Sequence, residues 1–203
     1  MKYAVPANMK QNFRTIAQDL AAWAATRESA APSLPGPAAW LIENADLLPR
    51  GGKVLDVACG RGRHALFLAA AGFDVHAIDR DPETIEFLQE IAERLHLSLS
   101  CEVVDLETDP LPVLPGPCDA VLVFNYLHRP LMPALREALA PGGRLFYETF
   151  TARQAERGHP KNPAFLLNAG ELPALVAPLA VLRSREDEVD GRFIASAVAE
   201  RSR

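Results

Sequence analysis

Residues 54–79 (VLDVACGRGRHALFLAAAGFDVHAID) constrain the fold more than any other part of this chain. Val54, Leu55 and Val57 make an apolar, strand-favouring run that Gly60-Arg61-Gly62 interrupts. Residues 63–71 then read as a helix stopped by Gly72, a residue suited to the left-handed position after a helix. Residues 75–78 form a second short strand, and Asp79 closes it. Such a unit builds a parallel sheet, and its glycine turn and closing acid meet at the carboxyl ends of the strands, where ligands bind. Gly60 and Gly62 allow a tight turn and a close backbone approach to a ligand. The N–H groups opening the following helix favour a carboxylate or phosphate. Asp79 can accept two hydroxyl hydrogens from a ribose, so the unit predicts a nucleoside ligand.

The alternation continues downstream. Asp81 is a good N-cap, with Pro82 and Glu83 in the first turn, for a helix whose apolar face is Ile85, Leu88, Ile91, Ala92 and Leu95. Strands are predicted over 97–104, ending at Asp105, over 119–124, and over 144–150 after the turn Pro141-Gly142-Gly143. A helix is predicted over 130–139 and another starting at Glu171, after a long irregular segment. Strands 181–188 and 192–200 flank Asp190-Gly191, a dipeptide suited to a tight hairpin, which makes the last strand antiparallel. Ahead of the first strand, residues 8–30 carry Phe13, Ile16, Leu20, Trp23 and Ala24 at helical spacing. A packed helix is favoured there over a lid. A Pro-rich connector (31–37) and a short helix (40–48) follow. The expected organisation is an N-terminal helix and connector over 1–36 and one domain over 37–203. The expected fold class is α/β, a doubly wound, mostly parallel sheet with an antiparallel terminal strand.

With 203 residues and a net charge of −5, composition suggests no overall basic nucleic-acid binder. No apolar run reaches membrane-spanning length, and the N-terminus lacks the apolar core of a secretory signal. Cys59, Cys101 and Cys118 are scattered and read as reduced core thiols, so a cytoplasmic location is expected. The five histidines form no ligand pair, so no metal is expected.

Residues 60–65 also fit the GxGxxA form of the dinucleotide fingerprint, which leaves an NAD-dependent oxidoreductase as an alternative. Asp56 argues against it. It lies inside the first strand, where dinucleotide domains want an apolar residue, and an acid there can pair with the ammonium of an amino acid. A ligand with an amino acid at one end and adenosine at the other is S-adenosylmethionine. On the run Leu55-Asp56-Val57-Ala58-Cys59-Gly60-Arg61-Gly62, with Asp79, Asp105, Asn125-Tyr126-Leu127 and Pro141-Gly142-Gly143 in order, the chain resembles the class I S-adenosylmethionine-dependent methyltransferases. The resemblance implies a Rossmann-like sheet of seven strands with the last antiparallel. It also implies S-adenosylmethionine as cofactor, bound by Asp56, Ala58, Cys59, Gly60, Gly62, Arg63, Asp79, Arg80, Asp105, Leu106 and Asn125.

Within that class, residues 59–64 and 68–75 resemble the tellurite-resistance methyltransferases, as does Gly170-Glu171-Leu172. His64 stands where that group usually has Asn, and Glu186-Asp187-Glu188 is acidic where an oxyanion would prefer cations. The expected activity is methyl transfer to a small molecule, with a soft nucleophile such as a thiol or chalcogen oxyanion favoured. A non-catalytic S-adenosylmethionine-binding module is the other alternative. An oxygen or nitrogen acceptor often needs a base, for which the candidates are Glu148, placed at a strand end facing the crevice, Tyr126, Tyr147, His128 and His159. Residues 151–169 carry Arg153, Arg157, His159 and Lys161 against Glu156, and suit an anionic acceptor.

Overall fold

The computed structural model describes residues 36–49, 51–112, 114 and 116–203. The helix expected over 8–30, and the connector up to residue 35, lie outside the described residues. Seven strands, β1 (Lys53–Val57), β2 (Asp74–Asp79), β3 (Leu99–Val103), β4 (Cys118–Phe124), β5 (Leu139–Phe150), β6 (Ala180–Val189) and β7 (Arg192–Glu200), form one sheet in the order β3-β2-β1-β4-β5-β7-β6. β7 runs antiparallel to both β5 and β6, as the hairpin dipeptide predicts. Asp190 and Gly191 both have positive φ (51° and 74°), the requirement of a type I′ turn.

The described residues fall into two compact units that divide between Val103 and Val104. The first holds β1–β3, all parallel, with helices α1 (Ala39–Glu43), α2 (Arg63–Ala70) and α3 (Pro82–Arg94). Val54, Leu55 and Val57 of β1 and Val75, Ala77 and Ile78 of β2 are buried, as in strands covered on both faces, with Asp56 buried among them. α2 ends at Gly72 (φ 91°), where Gly72 N–H reaches Ala69 O and Phe73 N–H reaches Leu68 O, a Schellman motif. α3 begins at the expected cap: Asp81 accepts from Glu83 N at 3.2 Å and from the Thr84 hydroxyl at 2.7 Å. It ends in the same motif with His96 at φ 52°, and Leu97 N–H is used on Ala92 O. That is why β3 begins at Leu99 instead of residue 97. The segment expected as one helix over 40–48 is α1 followed by a 3-10 turn, Ala45–Leu47.

The second unit holds β4–β7 with α4 (Met132–Ala138) and α5 (Glu171–Val176). A 3-10 turn, Arg129–Leu131, precedes α4 where one continuous helix was expected. Pro141-Gly142-Gly143 does not precede β5 but lies inside it as a bulge. Register passes from Cys118↔Leu139 to Ala120↔Arg144, five residues on β5 against two on β4. Gly143 is obligatory there, since a Cβ would sit 2.8 Å from Ala140 O and 2.9 Å from Cys118 O. The irregular segment after β5 contains two 3-10 turns, Ala152–Glu156 and Pro163–Phe165.

The two glycines of the first turn differ in what they require. A Cβ on Gly62 (φ 71°) would lie 2.3 Å from Leu88 Cδ2 in the core, whereas a Cβ on Gly60 (φ 52°) would meet nothing. Gly62→Ala is therefore expected to destabilise by about 2–4 kcal/mol, left-handed strain plus overpacking. Gly60→Ala should cost about 1–2 kcal/mol, from strain alone. Urea denaturation of the two variants checks the order, and equal losses would contradict it.

Candidate functional site

The turn after β1 is built from alternating left-handed residues, Ala58 (φ 52°), Gly60 (φ 52°) and Gly62 (φ 71°). Cys59 N–H donates to Ile78 O at 3.0 Å, which ties the turn to β2, and Gly62 N–H donates to Cys59 O at 3.0 Å. Gly60 N–H then donates to Asp79 Oδ2 at 2.8 Å, and Asp81 N–H to Asp79 Oδ1 at 3.1 Å. Asp79 is half-buried with each oxygen oriented by one backbone amide. The remaining lone pairs of both oxygens can accept hydroxyls. A side chain on Gly62 would run into Leu88, whereas the corresponding side of Gly60 is open. Arg63, half-buried, opens α2, and Arg80 is exposed beyond Asp79.

Asp56 lies in β1 at 1 % exposure. Burial pushes its carboxyl up to about 7, against the lowering effects of an Ala65 backbone N–H and the Arg63 charge, while the Asp79 charge raises it further. No donor among the described residues reaches Asp56 Oδ2. A buried carboxylate oxygen without a donor is costly, and a ligand ammonium is the donor that suits it. The Cys59 thiol is pushed up strongly by burial, so it is a packed sulfur. His64 accepts from Ala38 N–H through Nε2 at 3.2 Å, and burial holds it down to about 3. It is a neutral acceptor at the foot of α1.

In the second unit Asp105 is half-buried and forms a turn. Its Oδ1 accepts from Glu107 N at 3.1 Å, and its carbonyl accepts from Thr108 N and Asp109 N. Leu106 beside it is buried. Asn125 is exposed at φ 58° just past β4, with its N–H on Glu148 O at 2.8 Å. The Tyr126 carbonyl accepts from the Tyr147 hydroxyl at 3.0 Å. Burial raises the Tyr147 hydroxyl well above its ordinary value, so it serves as a held donor.

Glu148, expected at a strand end facing the crevice, is instead buried in a cross-strand row with Ser196 and Arg185. Its Oε2 accepts from Ser196 Oγ at 2.8 Å and from Arg185 Nη2 at 3.3 Å. The even spacing of a strand places these neighbours on one face, a direction that chain position alone does not reveal. His128 is half-buried at the entry to the 3-10 turn, and His159 is exposed. On the loop after β5, the Arg153 guanidinium stacks 3.9 Å from the Phe193 ring centre, and Arg157 pairs with Glu188 at 3.3 Å. The acidic hairpin is also engaged, since Glu186 accepts from Gly170 N at 2.8 Å. Sequence reasoning missed the Arg129–Glu171 ion pair (2.6 Å); the Gly170-Glu171-Leu172 resemblance pointed to one partner without a role. Among the described residues no group of three His, Cys, Asp or Glu could hold a metal ion, and no helix is long and apolar enough to cross a membrane.

Residues 40–140, about half of the chain, match the family model described as tellurite resistance protein TehB. The chain is 32 % identical over 83 residues to the "Probable S-adenosyl-L-methionine-dependent methyltransferase TehB" of Haemophilus influenzae, covering 41 % of this chain and 29 % of that protein. It is 36 % identical over 104 residues to a ubiquinone biosynthesis O-methyltransferase of Xylella fastidiosa, covering 49 % of this chain and 42 % of that one. The aligned regions thus span less than half of these relatives. The crystal structure of TehB from Haemophilus influenzae superposes with a TM-score of 0.69 at 20 % identity, over 89 % of this chain and 66 % of that chain, which shows the shared fold. With the glycine turn and the ordered acids, the family-model match and the TehB relative support an S-adenosylmethionine-dependent methyltransferase of the TehB group.

Proposed function

We propose that this chain transfers the methyl group of S-adenosylmethionine to a small-molecule acceptor. The observation that carries the reading is one glycine turn flanked by two differently prepared carboxylates. Asp79 is oriented by backbone amides and open to hydroxyls; Asp56 is buried with one oxygen short of a donor. A ribose diol suits the first and an amino-acid ammonium the second. Arg63, at the start of α2, is suited to the carboxylate of the same amino acid. Ala58, Cys59, Gly60, Gly62 and Arg80 complete the proposed cofactor contacts around the turn, and Asp105, Leu106 and Asn125 are assigned by the family resemblance.

The cofactor supplies a methyl group already activated on a sulfonium. The protein's task is to hold the acceptor in line and exclude water. Two of the candidate bases are committed elsewhere: Glu148 to Ser196 and Arg185, Tyr147 to the Tyr126 carbonyl. That supports an acceptor needing little base help, a thiol or a chalcogen oxyanion. Arg153, Arg157, His159 and Lys161 after β5 suit an anionic one. The likeness to an O-methyltransferase supports a second reading, a phenolic acceptor, with His128, His159 and Tyr126 as the remaining base candidates.

Calorimetry with S-adenosylhomocysteine should show binding, and Asp79→Ala should weaken it by ~1.5–3 kcal/mol, the worth of hydrogen bonds to a charged group. Undiminished affinity would remove Asp79 from the ribose.

The same titration should depend on pH through Asp56. Folded, Asp56 keeps its proton up to about pH 7, against an ordinary value of 3.8. Affinity for the ammonium should therefore fall as pH drops from 8 to 6. Folding stability has the opposite sign, because forcing ionisation in the core costs stability as pH rises from 3.8 towards about 7. Asp56→Asn should bind S-adenosylhomocysteine more weakly at pH 8 yet melt higher there than the parent. A parallel loss of both would count against this assignment.

A turnover screen over 2-mercaptoethanol, selenite, tellurite, small carboxylates and catechol should find activity among the thiols or chalcogen oxyanions. Activity confined to catechol would establish the phenolic reading instead.

A further inference from the structure

The segment joining β5 to α5 is long for a connection between packed elements, and connections of this length are usually functional or disordered. Here it is anchored at both ends. Near β5, Thr151 bridges Leu167, with Ala152 N–H on Leu167 O at 2.8 Å and Leu167 N–H on Phe150 O at 2.9 Å. The other anchor is Arg129. Its Nε donates to Glu171 Oε1 at 2.6 Å and its Nη2 to Glu171 Oε2 at 2.9 Å. The same guanidinium donates through Nη1 to Ala164 O at 3.2 Å and through Nη2 to Leu166 O at 2.9 Å. Glu171 Oε2 accepts in addition from Asn168 N (2.8 Å) and Asn168 Nδ2 (2.9 Å). One arginine fork thus organises the whole stretch from Ala164 to Glu171.

Arg129 also lies just after Asn125 and Tyr126, the segment that leaves β4. That segment is itself pinned to β5 through Asn125 N–H on Glu148 O and the Tyr147 hydroxyl on Tyr126 O. The guanidinium therefore joins the chain leaving β4 to the chain leaving β5, two parallel strands whose carboxyl ends lie side by side. In open α/β sheets that edge is where ligands sit. The pair stays charged through any working pH: its hydrogen bond to Arg129 holds Glu171 down to about 2, and Glu171 in turn raises Arg129.

We infer that Arg129 and Glu171 are positioning residues for the methyl acceptor, a charged clasp that holds the post-β5 segment as a wall against the post-β4 segment. The inference rests on the methyl-transfer reading and adds to it the part that sets acceptor affinity. Neither residue touches the reacting atoms. The clasp depends on the planar fork as well as on charge, because three different nitrogens serve two carbonyls and a carboxylate, which a lysine ammonium reproduces poorly.

The test compares wild type with Glu171→Gln, Glu171→Asp and Arg129→Lys, in S-adenosylhomocysteine calorimetry and in steady-state kinetics with the member of the acceptor panel that wild type methylates best. The expected result is an acceptor KM raised at least fivefold in Glu171→Gln and Arg129→Lys, with kcat and S-adenosylhomocysteine affinity within twofold of wild type. Glu171→Asp should recover part of the loss. Hydrogen exchange should show residues 162–169 losing protection in the two deficient variants. Lowered Tm with an unchanged acceptor KM would overturn the inference and leave the pair as a stability element. Wild type that binds S-adenosylhomocysteine but methylates no acceptor would overturn it together with methyl transfer. Failure to bind S-adenosylhomocysteine would instead remove the cofactor reading.

Discussion

The hydrogen bond from Gly60 N–H to Asp79 Oδ2 joins a turn after the first strand to the acid that ends the second. It can form only if both strands reach the same sheet edge in register and if the chain between them returns in a single short helix. Val57↔Ile78 pairing satisfies the first condition, and the Schellman stop at Gly72 satisfies the second. The bond also needs an amide aimed outward from the turn, which left-handed backbone at Ala58, Gly60 and Gly62 provides. One interaction therefore collects the demands of strand pairing, helix termination and backbone sterics. A carboxylate held this way meets a ligand already oriented, so less ordering remains to be done on binding.

Asp56 and Asp79 resolve the cost of an acid in opposite ways. Asp79 is half-buried and satisfied by two backbone amides, which leaves lone pairs over for hydroxyl donors. Asp56 is buried with one oxygen undonated, and its carboxyl holds a proton towards neutrality. The first arrangement suits a neutral polyol and the second a cation. On the proposed reading stability and binding conflict at Asp56, because the feature that would recognise an ammonium is unfavourable to folding without one. Local violations of packing rules of this kind tend to mark functional positions.

Most of the fold was legible because its signals are local. The Gly turn, the Asp81 cap, the Gly72 stop and the Asp190-Gly191 hairpin each work through their own backbone conformation, and each appears where the residues predict it. What was not legible depends on partners distant in sequence. Pro141-Gly142-Gly143 reads as a turn before a strand, yet Gly143 is required by the carbonyl of Cys118 across the ladder. β3 is shorter than its apolar pattern because Leu97 N–H is spent on the helix before it. His64 breaks the family pattern, and its reason, the Ala38 amide, lies across a strand and a turn. Glu148 reads as a base until Ser196 and Arg185 are seen beside it. The Arg129–Glu171 pair links residues 42 apart in sequence, beyond the reach of any spacing rule.

These long-range bonds bear on what kind of chemistry the second unit supports. A general base must have a free lone pair within reach of the proton it takes. Glu148 Oε2 accepts from a hydroxyl and a guanidinium, so this oxygen is engaged within the sheet. Tyr147, buried and donating to a backbone carbonyl, is held in its neutral form. Near the carboxyl ends of β4 and β5, the Asn125 N–H and the Tyr126 carbonyl on one side, and the Arg129 and Glu171 side chains bonded along the Ala164–Glu171 stretch on the other, are spent on shaping backbone. Polar groups that shape walls instead of moving protons contribute through alignment, and on the methyl-transfer reading proposed above they suit an acceptor already nucleophilic at neutral pH.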